Sequence, residues 1–352
     1  MLVANNLESL MAERTDRIMG LGTRNNSNAT NMFDMLHDAN MIGFDVKKRP
    51  LINSQGHKHS NLFELTYVDP NTGERIVYDS ETAQSKFVPI NFEEGFLDMG
   101  NSLIGSGAKP LMAGTYNHNK LGFCIYEIPV GFSVAGVDDP HTVHLMMSMG
   151  MVGQKTLQIE PRIIRLFCAN QIPSLIASPT SFGKRVSTTV KIRHTKNYKY
   201  YMGLAEETLQ ITETWVEEIE AIANKLVNVN LTTGQFAEIA TEVFTPANVL
   251  SGQTELDKRA ESRREKLVGK VEDIFLGNSD TPDTLANVRG TAWAGYNALT
   301  EYLDWHRDGE NSKHAVRRTA QALGLARTLT TNQKQSILGV IEKYVEKLPV
   351  QL

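Results

Sequence analysis

Residues 111–130 read LMAGTYNHNKLGFCIYEIPV. LMAGTYNH and KLGFCIYEIPV are rich in β-branched and aromatic residues, and Asn and Lys punctuate the join. That composition predicts two neighbouring strands. The same texture continues in TVHLMMSMGM (142–151), KTLQIEPRIIRLFC (155–168) and RVSTTVKIRHT (185–195), with Gly, Pro and Asn between them. Residues 111–200 therefore read as strand after strand. RIIRLFCANQI (162–172) is open between a continued strand and a helical turn near Ala169.

Upstream, FDVKKRPLI (44–52) alternates, with Phe44, Val46 and Lys48 on one side. LFELTYVD and ERIVYDS flank PNTG, which predicts a hairpin. In PINFEEGFLDMGNSLI, Asn91 with Glu94 forms a capping box, and Phe92, Phe96, Met99 and Leu103 follow at helical spacing. A helix is expected over about 91–104. The first part, ANNLESLMAERTDRIM, reads as helical, and Ala29–Asn40 as a second short helix ended near Gly43.

The period changes after residue 199. Leu204, Thr208, Ile211, Trp215, Ile219, Ile222 and Leu226 are spaced by fours and threes, the mark of an amphipathic helix over 199–227. Further helices are expected over 232–243, 254–276, 283–307 and 312–346, with Pro and Gly in the joints. The fold class is α+β: a mainly antiparallel sheet with packed helices, followed by a helical C-terminal region. The expected divisions are 1–45 (helical), 46–227 (α+β core) and 228–352 (helical).

The 352 residues carry a net charge of −4, so no global charge points to nucleic acid or membrane. The two cysteines, Cys124 and Cys168, lie in apolar runs and read as reduced core thiols. The N-terminus has no basic, apolar leader pattern, and no run approaches the length of a membrane span. A soluble cytoplasmic protein without a membrane partner is expected.

One window departs from this average. From Pro161 to Ala205 there is no Asp or Glu, yet Arg162, Arg165, Lys184, Arg185, Lys191, Arg193, Lys196 and Lys199 fall inside it. As a strand, STTVKIRHT points Thr189, Lys191 and Arg193 one way and Val190, Ile192 and His194 the other. A cationic face with Tyr198 and Tyr200 nearby suits phosphates and stacked bases. The competing reading is a solvated strand neutralised by the helix that follows, with its Glu206, Glu207, Glu213, Glu217, Glu218 and Glu220.

Other signals are weaker. His57 and His59 lie in a polar loop. His141 and His144 follow Asp138 and Asp139, but a strand would splay the two histidines to opposite faces. LIGSGAKP (103–110) lacks phosphate-loop spacing and reads as a Gly-rich helix exit. Leu145, Met147, Met149 and Met151 share one strand face, a buried core or intersubunit surface.

VKKRPL (46–51), VPINFEEGF (88–96), PRIIRLFCANQI (161–172), IRHTKN (192–197) and GTAWAGYNALTEYLDWHR (290–307) occur in an order that resembles a phage/plasmid-like family of unknown function. It is numbered 932 in the domain-of-unknown-function series. The resemblance covers most of the chain, and Cys168 and Asn170 match the family's Val-Cys-x-Asn type of motif. It implies a phage, prophage or plasmid gene acting in the bacterial cytoplasm, and lends no established activity. In outline the chain is also similar to the phage single-strand annealing proteins of the Redβ, RecT and Erf type. That likeness implies single-stranded DNA bound by a ring or filament homo-oligomer and annealed without ATP. A phage exonuclease or a host single-strand-binding protein would be a further partner.

The leading expectation is a non-enzymatic annealing protein acting in recombination or replication, with no cofactor and no metal. Arg162, Arg165, Lys184, Arg185, Lys191, Arg193, Lys196 and Lys199 would hold phosphates, and Tyr198 or Tyr200 would stack a base. One rival is a non-catalytic assembly or protein-interaction protein using the Met-rich strand and the C-terminal helices. Another is a metal-dependent nuclease using His141, His144, Asp138 or Asp139.

Overall fold

The structure is a computed structural model that describes residues 9–10, 13–14, 23–24, 31–116, 119–152, 156–166, 171–173, 190–203, 208–245, 254–307 and 329–347. The expected first helix, 4–19, lies largely outside them. Strand β1 is Thr23–Arg24 and helix α1 is Met32–Asp38. Asn31 caps α1 by accepting the Asp34 N–H at 2.9 Å, and Met32, Met35 and Leu36 form its buried face.

A three-stranded antiparallel sheet follows: β2 (Lys47–Ile52), β3 (Lys58–Val68) and β4 (Arg75–Gln84), in that order. The hairpin expected at PNTG is present, and Gly73 takes φ +70° in its turn. Helix α2 is Phe92–Gly105. Glu94 accepts the Asn91 N–H at 3.2 Å, and Asn91 Oδ1 accepts the Val46 N–H at 2.8 Å. The cap thus ties the helix to the chain entering β2. Phe92, Phe96, Met99 and Leu103 are all buried, as their spacing requires.

The larger sheet holds β1, β5 (Lys109–Tyr116), β6 (Leu121–Ser133), β7 (Pro140–Gly150), β8 (Leu157–Arg165), β9 (Gln171–Pro173) and β10 (Val190–Ile192). Its order is β1-β5-β6-β7-β8-β10, β9 also pairs with β8, and every pairing is antiparallel. Where 162–172 was open, Gln171–Pro173 is a strand. Register sets Cys124, Met147 and Ile159 in one transverse row and Tyr126 and Leu145 in the next, all buried. Met149 and Met151 are buried too, so the methionine face is core. The opposite face is also covered: Met112, Phe123, Ile125 and Met146 are buried there. Burial pushes the Cys124 thiol well above its usual range. Cys168 lies outside the described residues.

The C-terminal region is helical: α3 (Tyr198–Gly203), α4 (Thr208–Val227), α5 (Thr233–Phe244), α6 (Thr254–Leu276), α7 (Ala292–Glu301), a π turn over Tyr302–His306, and α8 (Leu329–Val345). One boundary differs from expectation: α7 starts at the Thr291 cap instead of near 283. The reason is pairing: Leu231 N–H donates to Gly290 O and Ala292 N–H to Val229 O, each at 2.8 Å. Residues 284–290 run as turns, with Gly290 at φ +74°, and those bonds set Thr291 in a bridge opposite Asn230, so the helix opens only where Thr291 Oγ1 accepts the Ala294 N–H at 3.1 Å. One apolar cluster runs from Met32 to Ile341, so these helices share the sheet's core.

Candidate nucleic-acid interface

Strand β10 lies at one end of the large sheet, with Lys191 opposite Gln158 of β8. Alternation sorts its side chains as the sequence requires. Ile192 and His194 are buried and Val190 is half-buried, while Lys191 and Arg193 are exposed. A turn follows, closed by Thr195 N–H to Arg193 O at 2.8 Å and Tyr198 N–H to Thr195 O at 3.0 Å. It leads into α3. Lys196 and Lys199 are exposed there, and Tyr200 is 69% exposed. Lys191, Arg193, Lys196 and Lys199 form no ion pair with any described residue.

The strip has a firm backing. The His194 ring stacks on Phe87 at 5.0 Å and 18°, and the Val88 N–H donates to His194 O at 3.0 Å. The Phe87 turn is itself pinned, because Lys48 Nζ donates to Ser85 O at 2.7 Å and Phe87 O at 2.8 Å. Sequence reasoning missed Phe87. A lone aromatic after a strand gives no sign of the ring it will meet more than a hundred residues later.

Three expected site residues are withdrawn by their surroundings. Arg165 is fully buried. Its Nε donates to Asp139 Oδ1 at 2.7 Å, and its remaining nitrogens reach Thr284 O at 2.8 Å and Asn287 Oδ1 at 3.3 Å. Arg162 is buried and paired with Glu160 at 2.9 Å. A guanidinium enclosed and matched inside the fold has no face for a phosphate. Tyr198 is 7% exposed and points inward, where burial and then the Glu94 charge raise its hydroxyl pKa, so it cannot stack a base. Lys184 and Arg185 lie outside the described residues, as do Glu206, Glu207 and the side chain of Glu213. Glu217 and Glu218 are exposed on α4 and pair with none of the strip's cations.

The nuclease candidates do not converge. Asp139 accepts from both Arg165 and the Trp293 indole N–H, the latter at 2.8 Å. His141 Nδ1 donates to Asp139 O at 2.9 Å, so its proton is on Nδ1, and the ring stacks flat on Phe132 at 4.5 Å. His144 faces the other side of the sheet, and burial lowers both imidazoles to about 4. Asp138 is exposed. Among the described residues, no three His, Cys, Asp or Glu side chains are grouped as a metal would need.

A family model described as "Domain of unknown function (DUF932)" matches residues 81–335. No curated protein and no solved structure matches. Among the described residues, no helix is long and apolar enough to cross a membrane.

Proposed function

This chain belongs to the DUF932 family, and from that premise we propose that it is a phage- or plasmid-encoded protein that binds and anneals single-stranded DNA. It does so as a homo-oligomer, without ATP and without covalent catalysis. The observation that supports this reading is the strip itself. Lys191, Arg193, Lys196 and Lys199 are exposed without ion pairs to described residues, on a rigid edge, beside the exposed ring of Tyr200. Cations placed so neutralise phosphates and release condensed counterions, and a flat exposed ring accepts a base of any identity. Arg162 and Arg165 serve the fold instead, so the phosphate set is smaller than composition suggests.

The test is the binding of a labelled oligonucleotide at low salt by the wild type and by the Lys191→Glu/Arg193→Glu variant. Two reversed charges on exposed side chains leave the fold intact and weaken binding by more than about tenfold. Equal affinity for both proteins would remove the strip from the interface.

A further inference from the structure

We propose that the single-strand interface continues beyond the strip, across Lys86, onto the β2–β3 hairpin, where Arg49 and Lys58 hold further phosphates of the same strand. This rests on the single-strand-binding reading above.

Residues 46–63 form a second acid-free run, holding Lys47, Lys48, Arg49 and Lys58. Two of these cations have internal duties. Lys47 pairs with Asp45 at 2.8 Å, and Lys48 donates to the carbonyls of Ser85 and Phe87. Arg49 and Lys58 remain exposed and form no ion pair with a described residue. Glu64 is the cross-strand neighbour of Arg49, and Asp45 is occupied by Lys47 and Arg75. The outer hairpin, Ile52 through Leu62, is exposed throughout and still built. Asn53 Oδ1 accepts the N–H groups of Gln55 at 3.0 Å and His57 at 2.9 Å, and Gly56 takes φ +81° in the turn.

Hairpin and strip are joined through one turn. The Lys48 bonds fix residues 85–87 to the hairpin. The Phe87–His194 stack and the Val88–His194 bond fix the same turn to the strip. Lys86 is exposed in the middle of that turn. Lys86 therefore sits between the two pieces, and alternation along β2 puts Arg49 on the strand face opposite Lys48, the side chain that makes the link. Strand addition by a second copy is the other use for an exposed hairpin, but edge strand β2 carries Lys47, Lys48, Arg49 and Pro50. Proline and clustered cations block ladder extension. The same cations suit a phosphodiester chain.

The experiment uses the full chain and fluorescent oligothymidylates of about 30 and about 8 nucleotides, lengths that span both pieces or only one. It compares wild type, Arg49→Gln/Lys58→Gln/Lys86→Gln, and a control with the same charge change on α6, Lys258→Gln/Lys266→Gln/Lys270→Gln. Circular dichroism confirms that each is folded. The hairpin variant is expected to lose about tenfold or more on the long strand, with its salt slope reduced by about 2. Its affinity for the short strand and the control's affinity for both stay within about twofold. An unchanged long-strand affinity, or an equal loss in the control, overturns the proposal. The strip reading survives either result so long as Lys191→Glu/Arg193→Glu still weakens binding by more than about tenfold. If wild type binds neither length at low salt, the strip reading falls and the hairpin with it. If light scattering shows that the hairpin variant loses DNA only because it no longer self-associates, the hairpin is a contact between copies and the proposal is wrong.

Discussion

Arg165 and Lys191 carry the same charge on neighbouring strands of one sheet, yet one is sealed from water and the other faces it. Arg165 is held by Asp139, Thr284 and Asn287, while Asp139 also accepts from Trp293. Replacing Arg165 with Leu leaves the Asp139 carboxylate buried without its cation, at a cost of about 3–5 kcal/mol. Urea unfolding should show that loss, whereas Lys191→Gln should shift stability by no more than about 0.5 kcal/mol. Buried titrating groups also set the response to acid. His141 and His144 have folded pKa values near 4 against an ordinary value of 6.5, because burial disfavours the imidazolium. The unfolded chain therefore binds more protons between those values, and stability falls as pH drops from about 6.5 toward 4, by about 3 kcal/mol for the buried His141 and by less for the half-buried His144. Glu301 acts in a lower window. Burial alone would raise its pKa, but Arg14 and hydrogen bonds from His306, Thr284 and Arg14 more than offset this and hold it at about 2. Its contribution is complete above the ordinary value of 4.5 and is lost as pH falls toward 2. Melting temperature recorded from pH 7 to pH 3 should fall steadily. A flat profile between 6.5 and 4 would mean the two imidazoles are not buried as described.

At the scale of elements, α2 packs against the large sheet through small residues placed under large ones. A Cβ at Gly122 would collide with the Phe92 ring, while one at Gly95 would meet the thioether of Met149. An aromatic ring held between strand and helix has little room to give, and a thioether has more. Gly122→Ala should destabilise by about 1–3 kcal/mol and Gly95→Ala by less, a ranking that thermal unfolding reads directly. The elements that local pattern governs were legible in the sequence. Asn91 with Glu94 announced the start of α2, PNTG announced the hairpin, and alternation in STTVKIRHT placed Lys191 and Arg193 outward. What could not be read was governed by distant partners. Arg165 takes its partners 26, 119 and 122 residues away, so its charge counted toward a phosphate set that the fold had already claimed. Tyr198 failed for a related reason, since its position opening α3 turns it toward α2. The start of α7 was misplaced because backbone pairing with residues 229–231, and not side-chain periodicity, decides where it begins.

At the scale of the molecule, one apolar cluster joins the sheet to the C-terminal helices, and the ion pairs of Arg165, Arg14 and Lys334 are buried within the same body. The chain as a whole is −4, so attraction to a polyanion depends on where unpaired cations are gathered and not on their number. Lys191, Arg193, Lys196 and Lys199, exposed and without ion pairs to described residues, are such a gathering, on an edge backed by the stack of His194 on Phe87. The measurement that tests this most directly is the affinity of the wild-type chain for a labelled single strand across a range of salt concentrations. Four cations on phosphates predict that the logarithm of the binding constant falls with the logarithm of salt at a slope of about −3, steeper if the hairpin also engages. Binding that is indifferent to salt, or absent even at low salt, would contradict the account.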